Sequence, residues 1–139
     1  MKRDKSKTLF NRACKLWKEI CYKRDGKRCM VKRAFPYIGI NHTDIFQVDH
    51  CITRTCSWTF FMPENGCVVC SACNAAKGFN RKSIARAIDE IVISREGQEK
   101  FDEMVAIDRQ KKANPNFRKI WYLEEVIERL ENDKQEKTP

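Results

Sequence analysis

The chain lacks any run of about 18 apolar residues, so no segment is built to cross a membrane as a helix. It also lacks a signal-peptide block, because Met1-Lys2-Arg3-Asp4-Lys5-Ser6-Lys7 leads straight into an amphipathic pattern. These absences exclude secretion and predict an intracellular protein with no membrane partner. No internal repeat appears, which argues against a solenoid. Histidine is scarce, with His42 and His50 the only two. Carboxylates are scarce where cations gather. Residues 1–33 hold 13 Lys/Arg against 3 Asp/Glu, residues 34–78 hold 2 against 3, and residues 79–139 hold 13 against 13. The net charge of +9 therefore comes from the N-terminal quarter, as expected for a segment that neutralises phosphates. A solvated basic helix is the plainer alternative. An anionic membrane surface is disfavoured by the lack of a lipid anchor.

A length of 139 residues fits one domain, and a core that small gains much from a metal staple. Eight cysteines in an unsecreted chain point to zinc or free thiols before disulfides. Cys67, Cys70 and Cys73 crowd into seven residues, a spacing suited to a metal knuckle.

Leu9, Phe10, Ala13, Trp17, Ile20 and Cys21 share one face of a predicted helix over residues 8–22, which Asp25-Gly26 stops. Arg12, Lys15 and Lys18 fall mostly on the other face. Residues 34–40 and 45–49 read as two short strands joined by the turn Asn41-His42-Thr43-Asp44, with Pro36 confining the first to an edge. Residues 51–69 read as loop, and a short helix from Ser71 to Gly78 completes a ββα order. Three more helices are expected near 82–94, 97–112 and 117–132, the last two parted by Asn114-Pro115-Asn116. Their apolar stripes suit a core, or a homodimer contact through the C-terminal helices. The expected fold is α+β: a basic helix over 1–25, a ββα core over 26–80 and a helical extension over 81–139.

The chemistry-bearing stretch runs from Val48-Asp49-His50 through Asn65 to Cys70-Ser71-Ala72-Cys73-Asn74-Ala75-Ala76-Lys77-Gly78. A neutral imidazole can take a proton from water near neutral pH, so His50 is the candidate base. Asp49 offers the hard oxygen that Mg²⁺ or Mn²⁺ prefers, and Asn74, early in the short helix, offers an amide oxygen. Adjacent strand residues point to opposite faces, so Asp49 and His50 share a target only if the strand bends. Lys77 shares a helical face with Asn74 and could hold a phosphate oxygen. Read plainly, Asp49 is a strand-end carboxylate, Asn65 a turn residue, Asn74 a helix-start hydrogen bonder and Lys77 a helix C-terminal cation.

Residues 26–78 resemble an HNH, or ββα-metal, nuclease. The resemblance matches Asp49 to a metal ligand, His50 to the general base, Asn65 to the middle Asn that braces the loop carrying the base, and Asn74 to the final metal ligand. It implies a DNA endonuclease in which a divalent ion stabilises phosphorane charge while His50 activates water. Arg54 and Lys77 would then clamp phosphate, and Lys15, Lys18, Lys23 and Arg24 would grip the duplex. The wider layout is similar to phage recombination endonucleases of the lambda NinG type, and Cys73-Asn74-Ala75-Ala76 to endonuclease VII-type junction resolvases. A phage origin would place the protein in a bacterial cytoplasm. Two rivals stand beside this reading. One is a zinc-knuckle DNA-binding protein without catalysis. The other is an RNA module that uses Trp58, Phe60 and Phe61 to stack on bases.

One departure concerns zinc. Many HNH domains hold it with two CxxC pairs, but here only Cys70/Cys73 is complete and Cys29-Met30-Val31-Lys32 carries Lys where a thiolate would stand. Cys29, Cys70 and Cys73 are candidate ligands, with the fourth sought among Cys21, Cys51, Cys56 and Cys67. His42 reads as a surface turn residue or as that missing ligand. Loss of zinc, leaving small buried apolar cysteines, is the alternative.

Overall fold

The computed structural model describes residues 2–136, and the architecture is α+β. In chain order the elements are α1 (Lys2–Asp25), α2 (Met30–Ala34), β1 (Phe46–His50), β2 (Gly66–Cys70), α3 (Ser71–Gly78), α4 (Lys82–Glu96), α5 (Gln98–Arg109) and α6 (Ile120–Glu136). A single 3₁₀ turn at Pro63–Asn65 leads into β2. Gly26, at φ +79°, ends α1 with its N–H on the Tyr22 carbonyl, the left-handed stop that Asp25-Gly26 predicted.

Residues 34–40 do not form a strand. Phe35 N–H bonds back to the Val31 carbonyl, Ile38 N–H to Phe35 and Ile40 N–H to Ile38, so local turns engage these three donors in place of a ladder. Pro36 supplies no donor. The second strand instead lies inside the segment read as loop. β1 pairs antiparallel with β2, with Phe46 opposite Cys70 and His50 opposite Gly66. Gly66-Cys67-Val68-Val69-Cys70 is buried at every position, so its pattern is continuous and shows no alternation.

The two-stranded sheet lies between two helical layers. Val68 packs into a cluster with Ala13, Leu16, Trp17 and Ile20 of α1 and Leu123, Val126, Ile127 and Leu130 of α6. Cys67 and Val69 point the other way, into Val31 of α2 and Ile84, Ala87, Ile88 and Ile91 of α4. A third cluster joins Ile52 and Cys56 to Val92 and Met104. Hydrophobic burial of this kind stabilises by about 25 cal/mol per Å² removed from water, and it draws on all three predicted segments at once. The α6 stripe is thus buried against α1 within the chain, where Lys134 also pairs with Glu19 at 2.6 Å and Arg12 with Glu131. Gly66 has a packing role, because a Cβ there would collide with Cys21 Sγ of α1.

Among the described residues, no helix is long and apolar enough to cross a membrane.

Candidate metal centre and the cleft around His50

All eight cysteines are free, and three meet one histidine. The ligand atoms of Cys29, His42, Cys70 and Cys73 all lie within 4.8 Å of one another. His42 Nδ1 is 3.4 Å from both Cys70 Sγ and Cys73 Sγ, and Cys29 Sγ is 3.7 Å from Cys73 Sγ. A tetrahedral zinc with Zn–S near 2.3 Å needs ligand edges of about 3.8 Å, so these spacings fit with little adjustment. The donor set is one that structural zinc favours. Cys70 caps α3 and accepts the Cys73 N–H. Burial works against its thiolate, but the Thr43 and Cys73 N–H groups and His42 outweigh it and lower the Cys70 thiol. Burial and the neighbouring Cys70 and Cys29 raise Cys73, so the first thiolate of the pair forms on Cys70. The residue that completes a four-donor group able to hold a metal is therefore His42, brought in by the turn before β1. The thiol candidates lie elsewhere. Cys21 Sγ faces the Pro63 carbonyl, Cys51 bonds Asp89 at 3.2 Å, Cys67 faces the Val68 carbonyl, and Cys56 sits in the third core cluster.

A separate cleft of about 450 Å³ is lined by Asp49, His50 and Asn74 together with Trp17, Lys18, Arg54, Phe60 and Arg118, among others. The end of β1 thus presents both members of the Asp-His pair to one space. His50 lies between two rings. Trp17 stacks on it at 4.2 Å and 12°, and Phe60 lies at 4.6 Å. Its Nε2 is 3.0 Å from the Phe60 carbonyl. A carbonyl only accepts, so Nε2 carries the proton and Nδ1 is left as the basic atom. Burial is the main reason the imidazole is pushed down to about 4, and it outweighs the opposing pull of the Phe60 carbonyl and Asp49. At neutral pH the ring is an uncharged base.

Asp49 Oδ2 accepts from Lys77 Nζ at 2.6 Å, and Lys77 also donates to the His50 carbonyl at 2.6 Å. A cation therefore already balances the carboxylate. Asn74 Nδ2 donates to Gln47 Oε1 at 2.6 Å, which leaves the amide oxygen as its ligand end.

Asn65 is 0% exposed and does not line the cleft. Its Oδ1 accepts the Ile52 N–H at 2.6 Å, while Nδ2 donates to the carbonyls of Ile52 and Thr59 at 3.1 and 3.2 Å. Its own carbonyl accepts the Cys51 N–H at 2.8 Å. Asn65 therefore braces the loop that follows His50.

Arg24, expected to grip DNA, turns inward. Its guanidinium bonds Asp25 at 2.7 Å and the carbonyls of Pro63 and Gly66 at 2.7 Å each. Asp25, 2% exposed, also accepts the Val68 N–H and faces Arg95 at 3.8 Å. Lys15, Lys18, Lys23 and Arg54 stay exposed. Trp17, Gln47 and Arg118 escaped the sequence reading as site residues. Trp17 carries the spacing of a core residue, and the other two have no motif to mark them. Of the aromatics weighed for base stacking, Phe61 is buried, Phe60 backs His50 and Trp58 is half exposed. A larger hollow of about 590 Å³, lined by Met30, Phe35, Ile91 and the Arg24–Asp25–Arg95 group, has none of the candidate catalytic residues in its wall.

No protein-family model matches the chain, and neither a curated protein nor a solved structure matches it.

Proposed function

We propose that the protein is a metal-dependent DNA endonuclease of the HNH kind, with a structural zinc at Cys29, His42, Cys70 and Cys73. The observation that carries this reading is the convergence of Asp49, His50 and Asn74 on one cleft, with His50 held as the Nδ1-basic tautomer. The Asp49 carboxylate and Asn74 Oδ1 offer hard oxygens suited to Mg²⁺ or Mn²⁺. Such an ion, when bound, supplies charge stabilisation at the phosphorane and at the leaving oxygen. The remaining work falls to the chain. His50 Nδ1 takes a proton from water. The Phe60 carbonyl steadies the imidazolium through Nε2–H, and Trp17 holds the ring in plane. Lys18, Arg54 and Arg118 line the cleft as phosphate partners. Lys77, paired with Asp49, is poised to turn to a phosphate oxygen once the carboxylate is shared. A role in phage recombination or on branched DNA belongs to the same reading.

The Asp49–Lys77 ion pair favours a second reading, a non-catalytic zinc-knuckle DNA-binding protein whose carboxylate is spent on Lys77. Supercoiled plasmid incubated with protein and Mg²⁺ or Mn²⁺ separates the two. Nicked or linear product that disappears in His50→Ala supports the nuclease. Intact plasmid despite tight DNA binding supports the second reading.

A further inference from the structure

Two side-chain bonds latch α3 onto β1, and they are built alike. Gln47 and Asp49 stand opposite Val69 and Cys67 in the ladder and share one face of β1. Asn74 and Lys77, three residues apart on α3, share one face of that helix. Asn74 Nδ2 donates to Gln47 Oε1 at 2.6 Å, and Lys77 Nζ donates to Asp49 Oδ2 at 2.6 Å. Only one of these bonds stands in the way of a divalent ion. Lys77 occupies the carboxylate that such an ion would share, and two cations then draw on one anion. Gln47 takes only the nitrogen end of the Asn74 amide and leaves the oxygen end to a metal.

The choice of asparagine as a ligand is what makes the Gln47 bond matter. A carboxylate has oxygen at both ends, so half a turn of the group changes nothing for a cation. A primary amide has oxygen at one end and NH₂ at the other, and its terminal torsion is broad and roughly two-fold. Turned the wrong way, Asn74 would aim N–H bonds at the ion. Asn74 is half-buried and lines the His50 cleft, whereas Gln47 is exposed and is not part of the cleft wall. Gln47 therefore reaches the amide from outside the group of side chains that would touch an ion or a phosphate.

We propose that Gln47 is a positioning residue for the catalytic ion: by accepting from Asn74 Nδ2 it holds Oδ1 as the end offered to a hard divalent cation. The inference rests on the DNA-nuclease reading and adds a residue to its ion site. Metal ligands are oriented by outer hydrogen-bond partners of this kind, and losing one weakens metal binding by about 10- to 100-fold.

The test is titration of the zinc-loaded protein with Mn²⁺ in the absence of DNA, following the electron paramagnetic resonance signal of the free ion. Gln47→Leu has no acceptor and should weaken Mn²⁺ binding by about tenfold or more. Gln47→Glu still accepts from Asn74 and should bind at least as tightly as the wild type. Lys77→Met removes the competing cation and should bind more tightly. A mere latch between α3 and β1 predicts instead that Gln47→Leu and Lys77→Met both weaken the ion. That result, an unchanged affinity in Gln47→Leu, or an equal loss in Gln47→Glu overturns the role of Gln47 alone. Wild-type protein that binds no Mn²⁺, or binds it equally well after Asp49→Ala and Asn74→Ala, overturns the ion site of the nuclease reading together with it.

Discussion

His50 shows how one side chain is tuned by what surrounds it. Stacked between Trp17 and Phe60 and pushed down to about 4 by burial, it is neutral in the folded protein well below the ordinary histidine value near 6.5. The sign of the linkage follows. Above pH 6.5 the ring is neutral in both states and carries no penalty. As pH falls from about 6.5 toward 4, the unfolded chain gains a proton that the folded chain refuses, so stability declines. Urea midpoints measured across that window should fall with pH in the wild type and flatten in His50→Ala. The same variant should cut plasmid more slowly by about two to four orders of magnitude while still binding DNA. Wild-type turnover in His50→Ala would remove it as the base.

Arg24 and its neighbours on α1 make the opposite point, because cations close in sequence have different duties. Arg24 compensates the buried carboxylate of Asp25, and Arg24→Gln should cost about 3 kcal/mol in denaturant unfolding by leaving that charge poorly paired. Lys15 and Lys18 stand exposed, so Lys15→Gln with Lys18→Gln should leave stability within about 0.5 kcal/mol. That pair should instead flatten the log–log salt slope of DNA binding by about 0.9 for each phosphate no longer neutralised. An unchanged slope would make them a solvated face.

At the scale of elements, the β1–β2–α3 unit depends on what closes its open side. A two-stranded sheet is marginal by itself. The Cys29–His42–Cys70–Cys73 group gathers donors from the start of α2, the turn before β1 and the start of α3 at one point, where a bound ion would join them. Purified protein should therefore carry about one zinc per chain, with ion loss lowering the cooperativity of thermal unfolding. His42→Ala should lose the ion on mild chelation, whereas His42→Cys should keep it, since four donors remain. Metal analysis showing no zinc in folded wild-type protein would leave the cluster as packed thiols. The ion would lie apart from the His50 cleft, so its removal should act on stability before it acts on DNA binding.

Across the whole molecule, the first and last helices are joined in the core. Leu130 of α6 is fully buried with Ala13, Leu16, Trp17 and Ile20 of α1, and Trp17 is also the ring on which His50 rests. Leu130→Ala should destabilise by about 2–5 kcal/mol through the cavity it leaves. Because α1 backs the cleft, the loss should appear as one transition by both circular dichroism and tryptophan fluorescence. Two separated transitions would show that the helical pair and the ββα unit unfold independently.

The helix from Ser71 to Gly78, the stop at Gly26, the Asp-His pair at a strand end and the imbalance of charge were all legible in the sequence. Each rests on interactions within a few residues: caps, turns, periodicity and composition. What the tertiary structure decided lies across long separations. The partner of β1 was β2 and not residues 34–40, because a strand buried on both faces shows no alternation and local turns engage the N–H groups of Phe35, Ile38 and Ile40. The fourth donor of the candidate metal group was His42 and not another cysteine, because a sequence separation of 28 had to close before His42 and Cys70 could meet. Arg24 turned inward while Lys18 faced the cleft, because only the packed β2 start offers Arg24 its carbonyls and Asp25 its partner. A side chain's type is written in the sequence, whereas its partner is set by which distant surfaces burial brings together.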